Sequence, residues 1–404
     1  MNCGLPRRVQ CLPAFSFSAA TGCNLVSGEI MANRFCGLHI QRFRSITNLR
    51  IENLGQVNLL TGMNNTGKTS VLEAIRILAS DAAPGTISQI LKLREEDAFE
   101  GDETPRSNDA DNSFLLSSMF PDYPEFSADL SPIQIAGDQG DLPTTISISP
   151  CWLTEHRSES GVRQLTASQP TLFDEEERAP GLRIQVRGQE RLVPLEVFRR
   201  GGWRFARRAD SLDERRPPCQ YLGAGNSDRT AGLAGLWDRI ALSDLEKHIV
   251  SALAIIDENI SAVSMVGTEG ARMGRIAIVR SRRLARPVPL KSFGDGVNRL
   301  FGIVLSLVNA KDGCLLIDEF ENGLHHTVQE NAWRMIFKLA AELNVQVFAT
   351  THSVDAVLAF QQVSCDVPEN GALIRLARRG QSIVATVFDE DELAVVAKNQ
   401  IEVR

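Results

Sequence analysis

The stretch "GMNNTGKT", residues Gly62 to Thr69, decides how the rest of the chain is read. It matches the pattern G-x-x-x-x-G-K-[ST], which carries weight only between a strand and a helix. Before it, "FCGLHIQRFRSITNLRIENLGQVNLLTG" alternates apolar and polar residues and closes on the apolar run "VNLL", which predicts two or three strands, the last one buried. After it, "KTSVLEAIRILAS" has apolar residues at helical spacing. Phosphate oxygens need many donors converging on a small sphere. A loop with glycines at both ends lets backbone N–H groups turn inward, and the helix N-terminus adds its partial positive charge. Lys68 is then placed to reach the β- and γ-phosphates, and the Thr69 hydroxyl to ligate Mg2+. Gly62, Asn64, Asn65, Thr66, Gly67 and Ser70 complete the cradle.

Such a loop needs a carboxylate at the tip of a neighbouring strand to hold Mg2+, and "LLIDEFENGLHH", residues 315 to 326, preceded by Cys314, offers Asp318 after the four apolar residues "CLLI". Glu319, one step on, can polarise an attacking water. The two histidines invite a second reading, a transition metal. A zinc site takes three or four ligands, whereas His325 and His326 are adjacent, are expected to point different ways on a helix, and lack H-E-x-x-H spacing. The third element is "ATTHS". His352 follows the apolar run "VQVFATT", and a histidine at a strand's carboxyl end can hydrogen-bond a γ-phosphate and sense its presence. A lone histidine is otherwise more often structural.

Composition sets the frame for these motifs. With 404 residues, 43% hydrophobic and 23% charged, the chain can bury a sizeable core and is divided into two or three units. Its net charge of -7 excludes the global basic excess of a protein that coats nucleic acid or anionic membrane, so any basic surface is local. No window approaches the ~18 uninterrupted apolar residues of a membrane span. Eight scattered cysteines, without CxxC, indicate neither a zinc site nor a disulfide framework and fit a reducing cytoplasm. Residues 1–33 read as a disordered or mis-annotated leader. Arg7 and Arg8 ahead of "VQCLPAFSFSAATGC" give the alternative of an export signal.

Residues 34–80 form the first lobe. From 81 to 215 the character changes: acidic, turn-rich linkers such as "EEDAFEGDETPRSNDADN" and "DEEERAPG" surround β-prone pieces such as "TTISISP" and "LRIQVRG", which predicts an inserted β-rich arm. Residues 183–216 hold ten arginines against five acids. With Trp203 and Phe205 interleaved in "RRGGWRFARR", this region could grip a nucleic-acid backbone; the plainer alternatives are a solvated strand face or a dock for an acidic partner. Residues 216–404 form the second lobe. Helical periodicity over 231–257 is followed by strands at "ISAVSMV" and "RIAIVRS", then by alternating strands and helices that imply a parallel sheet covered by helices.

Taken together, "GMNNTGKTSVLEAI", "LLIDEFENGLH" and "TTHS" resemble the ABC-type ATPase heads shared by RecF, the SMC proteins and the OLD (overcoming lysogenisation defect) family, and in particular stand-alone OLD-like AAA ATPases. The resemblance spans about residues 34 to 404, with little to match in 81–215. It implies an α/β P-loop NTPase head with a mixed or parallel sheet. It makes Arg44, in "RFRS", a nucleotide contact, with Arg42 standing where asparagine is usual. In "GDGVNR" it makes Gly294, Asp295, Gly296 and Arg299 a signature segment that acts in trans on the γ-phosphate of a partner head, with glycine in the usual serine place and Ser292 two residues earlier. The "ENGLHH" segment looks like a D-loop, which gives Glu321 to His325 a coupling role. No Q-loop glutamine can be placed.

The resemblance therefore implies ATP and Mg2+ as ligands, a homodimer closed by ATP, and hydrolysis that opens it. OLD nucleases carry a Toprim domain after the head, and SMC proteins carry coiled coils. Neither is legible here, so a nuclease or Toprim-like effector in trans is expected, with defence against phage or mobile elements as the setting the resemblance implies. Two other readings stand beside this one. The first is a RecF-like DNA-binding clamp. The second is a small-molecule kinase, against which the acid pair at 318 and 319 and the histidine at 352 argue.

Overall fold

A computed structural model describes residues 35–94, 114–139, 142–157, 163–168, 178–198, 216–225, 230–255, 257–267, 275–366 and 371–388. The leader, the acidic linker 95–112, the "RRGGWRFARR" stretch and the final residues after 388 lie outside the described residues.

The chain opens with a hairpin, β1 (Gly37–Phe43) and β2 (Ile46–Ile51), whose two-residue turn sets Arg44 at φ 55°. Strand β3 (Val57–Thr61) is buried along its whole length. It feeds helix α1 (Lys68–Ala79), and α2 (Pro84–Leu93) starts with proline in its first turn, where the missing N–H has no partner to lose. After the short α3 (Phe114–Ser117) come β4 (Ile133–Gln139), β5 (Leu142–Arg157), β6 (Arg163–Ser168), β7 (Arg178–Val186) and β8 (Gln189–Pro194).

These five strands are where the structure differs most from the expectation of an inserted arm. They join the N-terminal hairpin in one antiparallel sheet of order β2-β1-β4-β5-β7-β8, with β6 on β5. The reason is visible in the residues. Ile133, Ile135, Ile146, Ile148, Leu182 and Ile184 are fully buried on one face and share a core with Val71, Leu72 and Ile75 of α1. The alternation in "TTISISP" is therefore a strand facing a core rather than a free-standing limb. Helix α2, which the sequence did not suggest, buries Ile87, Ile90 and Leu91 in the same core.

The remaining elements are β9 (Cys219–Leu222), α4 (Thr230–Ile240), α5 (Glu246–Leu253), β10 (Ile260–Gly267), β11 (Arg275–Ser281), β12 (Val288–Pro289), α6 (Asp295–Val308), β13 (Cys314–Ile317), α7 (His326–Glu342), β14 (Gln346–Thr350), α8 (Val354–Asp366), β15 (Gly371–Arg379) and β16 (Ser382–Phe388). Strands β10, β11 and β12 form a small antiparallel sheet. The central sheet has the order β16-β15-β3-β14-β13-β9, parallel except for the edge strand β16. Alternate side chains divide its faces. Leu59, Leu315, Ile317 and Val347 join the core under α4 to α8, while Leu60, Leu316 and Phe348 join the core under α1 and the antiparallel sheet. The strand before the glycine loop and the strand before Asp318 are not neighbours, as had been expected; β14 lies between them.

Candidate nucleotide-binding site

Three strand ends converge at one edge of the central sheet. At the end of β3 the chain turns through Gly62, at φ 145°, and Gly67, at φ 84°, into α1. Gly62 is required twice over: its φ suits glycine, and a Cβ there would lie 2.3 Å from the Leu376 carbonyl oxygen. Thr66 Oγ1 donates to the Met63 carbonyl at 2.8 Å and closes the loop on itself. Lys68 is 5% exposed, and its Nζ donates to the carbonyls of Gly62 and Met63 at 2.7 and 2.9 Å. Burial lowers its pKa from the ordinary lysine value, against the pull of Asp318, Glu321 and Glu319. An anion in the loop would relieve that cost.

From 249 positions further along, Asp318 meets this loop. Thr69 Oγ1 lies 3.2 and 3.3 Å from the two Asp318 carboxylate oxygens. Two residues the sequence reading missed hold that carboxylate. Thr350, at the end of β14, donates to Oδ1 at 2.6 Å, and Tyr221, on β9, reaches Oδ2 at 3.4 Å. The threonine stands in the quoted "ATTHS" and was legible as a polar residue ending a buried strand; the tyrosine carried no signal. A hydroxyl beside a carboxylate is a pair of hard oxygen donors, so the residues present fit Mg2+.

Glu319 follows at φ 51°, a left-handed conformation uncommon for a residue with a side chain, and its N–H donates to Thr350 Oγ1 at 2.9 Å. Asn322 Nδ2 donates to Glu319 Oε2 at 2.6 Å, and His352 Nε2 lies 3.9 Å from Oε1. The His352 N–H donates to Glu321 Oε1 at 2.7 Å, which ties the turn after β13 to the turn after β14.

A cavity of about 430 Å³ opens over the loop. Asn65, Thr66, Gly67, Lys68, Thr69 and Ser70 line it with Arg44, Ser45, Arg94, His352, Arg378 and the 118–123 segment. Of the expected site residues, Gly62 and Asn64 are outside its wall, and Asp318 and Glu319 adjoin it through Thr69 and His352. Arg44 lines the cavity but is 6% exposed. Its Nε bonds Glu73 of α1 at 3.2 Å and its NH1 donates to the Ser118 carbonyl at 2.9 Å, so it braces the cavity wall. Arg94 closes on the other oxygen of Glu73 at 2.6 Å.

The segment around Gly294, Asp295 and Gly296 does not line this cavity. It starts α6 and packs against the turn after β13: a Cβ on Gly296 would lie 2.8 Å from the Gly323 carbonyl oxygen. Arg299 departs from the trans role expected of it. It is 3% exposed and donates to the carbonyls of Gly223, Asp318 and Glu319 at 2.9, 2.7 and 2.9 Å, all within its own subunit. One helical turn past Gly296, its side chain is carried under β13 rather than outward. His325 and His326 also differ from expectation. His325 is extended and caps α7 through Nδ1, so the two rings lie 4.1 Å apart instead of diverging. Among the described residues no group of three potential ligands surrounds them or any other point, and no helix is long and apolar enough to cross a membrane.

Comparison with known proteins agrees with this geometry. An "ATP/GTP phosphatase" of Helicobacter pylori (strain ATCC 700392 / 26695) is 21% identical over 379 residues, covering 90% of this chain and 98% of that protein. "Uncharacterized protein MJECL11" of Methanocaldococcus jannaschii is 31% identical over 94 residues, 23% of this chain and 82% of that protein. Among solved structures, an SMC head bound to the C-winged helix domain of ScpA superimposes with a TM-score of 0.50 at 9% identity, covering 89% of this chain and 99% of that one. At that identity the likeness speaks for the fold, an α/β P-loop NTPase head of the ABC type. A family model described as "AAA domain" matches residues 37–107, which contain the glycine loop. A second, described as "AAA domain, putative AbiEii toxin, Type IV TA system", matches residues 155–359, just over half of the chain, and the chain belongs to this family of AAA-type ATPase domains.

Proposed function

We propose that this protein is a Mg2+-dependent ATPase whose two motif strands work on a single nucleotide, and that ATP closes two such heads into a dimer that regulates a partner protein. The observation that carries the proposal is the meeting of Thr69 with Asp318 across 249 positions, beside a buried lysine whose ammonium is held by the loop carbonyls of Gly62 and Met63. In this reading Lys68 turns from those carbonyls to the β- and γ-phosphates. Thr69 and Asp318 hold the ion, which when bound neutralises charge on the phosphates. Thr350 and Tyr221 orient Asp318. With Oε2 of Glu319 held by Asn322, Oε1 is the oxygen that takes a proton from the attacking water, and His352 beside it faces the γ-phosphate.

The dimer, the trans contacts of Gly294 to Gly296, and a nuclease or Toprim-like effector in a defence setting rest on the resemblance to OLD-like ATPases. The exposed start of α6 at Gly294, where no side chain caps the helix, supports the trans contact. The RecF-like alternative draws on the arginine-rich region 183–216, and salt-dependent DNA binding abolished by neutralising Arg204, Arg207 and Arg208 would favour it. Two variants test the principal reading. Lys68→Ala should lower turnover by about a hundredfold or more, the scale of one preorganised electrostatic donor; unchanged turnover removes this site. Glu319→Gln should bind ATP, hydrolyse it slowly and accumulate dimers in gel filtration. Full activity there would place water activation elsewhere.

A further inference from the structure

Two thiols face each other where the edge of the central sheet begins. Strands β9 and β13 run parallel, with Cys219 directly opposite Cys314. Cys219 packs on the core under α1 together with Tyr221, and Cys314 shares that face by alternation with Leu316. The strands come as close here as the backbone permits. The Cys314 N–H donates to the Pro218 carbonyl at 2.9 Å, and a Cβ on Gly313 would lie 2.0 Å from the same oxygen. Neither cysteine is in a disulfide. Cys314 is 5% exposed, whereas Cys219, on the edge strand, is half-buried.

The two sulfurs are not equivalent. The Cys314 S–H hydrogen-bonds the Cys219 sulfur and, with the Arg76 guanidinium, lowers the pKa of that thiol against the opposing effect of burial. The same hydrogen bond and burial push the Cys314 thiol well above its ordinary value. Arg76 stands on α1 with its guanidinium carbon 4.9 Å from the centre of the Tyr221 ring, and Cys219 is the first of the groups whose charge offsets its burial. One sulfur thus has thiolate character beside a cation while its neighbour keeps a proton. In such a pair the first attacks and the second resolves.

We propose that Cys219 and Cys314 are a modification site, a thiol pair that a hydroperoxide joins into a disulfide, and that this bond is felt at Asp318. The Cys219 thiolate attacks one oxygen of hydrogen peroxide, the O–O bond breaks, and hydroxide leaves with a sulfenic acid formed on Cys219. The Cys314 sulfur then displaces that hydroxyl, and its proton departs in water. In sum, two thiols and one peroxide give one disulfide and two waters. A disulfide holds its Cβ atoms about 3.8 Å apart, whereas neighbouring strands lie about 4.8 Å apart, so closure draws the strands together. Strand β13 is bonded on both sides and the four-residue β9 on one, so β9 is the strand that moves. Tyr221 moves with it, two residues from Cys219, and its hydroxyl is one of the groups that hold the Asp318 carboxylate. The effect on Mg2+ rests on the proposed role of Asp318; the disulfide itself does not.

The test treats the full chain with hydrogen peroxide, digests it without reductant and reads the peptides by mass spectrometry. A peptide pair joining Cys219 to Cys314 should appear, and should vanish with dithiothreitol. Cys314→Ala should give no such pair and leave a sulfenic acid on Cys219 that dimedone captures; Cys219→Ser should give neither. In parallel, ATP turnover is measured against Mg2+ concentration. Oxidised wild type should need about fivefold more Mg2+ for half-maximal turnover, the scale of one lost hydrogen bond to a carboxylate. Dithiothreitol should restore it, and both variants should keep one requirement with and without peroxide. Peroxide that leaves Cys219 and Cys314 unlinked overturns the proposal. A linked pair with an unchanged Mg2+ requirement overturns the coupling to Asp318 and keeps the modification site. Reduced wild type that hydrolyses no ATP defeats the ATPase reading alone, because the cross-link is scored by mass.

Discussion

Replacing Arg299 by methionine separates two roles that one arginine cannot hold at once. Its guanidinium is 3% exposed and donates to three carbonyls at 2.7–2.9 Å, two of them belonging to Asp318 and Glu319. Burial lowers its pKa from the usual arginine value, against Asp318, Glu321 and Glu319, so the charge is held at a cost that these contacts offset. Arg299→Met orphans three buried acceptors at about 1–3 kcal/mol each, and removes the desolvation cost of the guanidinium. The net loss should be about 3–5 kcal/mol, the scale for breaking one partner of a buried charged network. Against a total stability of about 5–15 kcal/mol, that shifts a urea midpoint plainly. Arg299→Lys should recover only part of it, since a point charge cannot match a planar fork spread over three carbonyls. Urea unfolding followed by tryptophan fluorescence gives the stability, and ATP turnover of the folded fraction gives the function. An Arg299→Met protein within about 1 kcal/mol of wild type, yet inactive only where dimers form, would refute the internal role and restore the trans one.

Asn322→Ala should lower kcat about tenfold with ATP affinity kept, because the 2.6 Å bond that fixes Glu319 Oε2 is lost; a higher kcat would mean that Asn322 restrains the carboxylate. Gly62→Ala should lower stability by about 2 kcal/mol or more and weaken ATP binding, since its Cβ meets backbone rather than a movable side chain; circular dichroism melting and nucleotide titration report both. Burial pushes the Cys151 thiol up from 9.0 to about 11. The unfolded thiol ionises first, so the stability this group contributes is intact below pH 9 and is lost as pH rises from 9 to about 11, a decline that Cys151→Ala should lessen in urea midpoints.

The glycine loop was legible because its geometry is local: eight consecutive residues make the turn, and the periodicity on either side shows what they connect. Asp318, Glu319 and His352 were legible for a related reason, each standing just past an apolar run that could only be a buried strand. What escaped was set by partners distant in the chain. The β-rich segment read as an arm because acidic linkers surround it, while its pairing of Ile40 with Ile135 depends on ninety-five positions of intervening chain. Arg299 looked like a signature arginine by spacing, yet the burial of α6 decides which way it points. Tyr221 and Asn322 act through single contacts that no pattern announces.

The central sheet has a temporal consequence. Strand β3 pairs with β14, Val57 opposite Val347, and with β15, Gly371 opposite Val57. Both of its neighbours therefore emerge from the ribosome only after some 290 further residues, roughly fifteen seconds to a minute of synthesis at about 5–20 residues per second. Throughout that interval a strand destined for complete burial waits with both edges bare, guarded only by whatever the nascent chain or a chaperone lays over it.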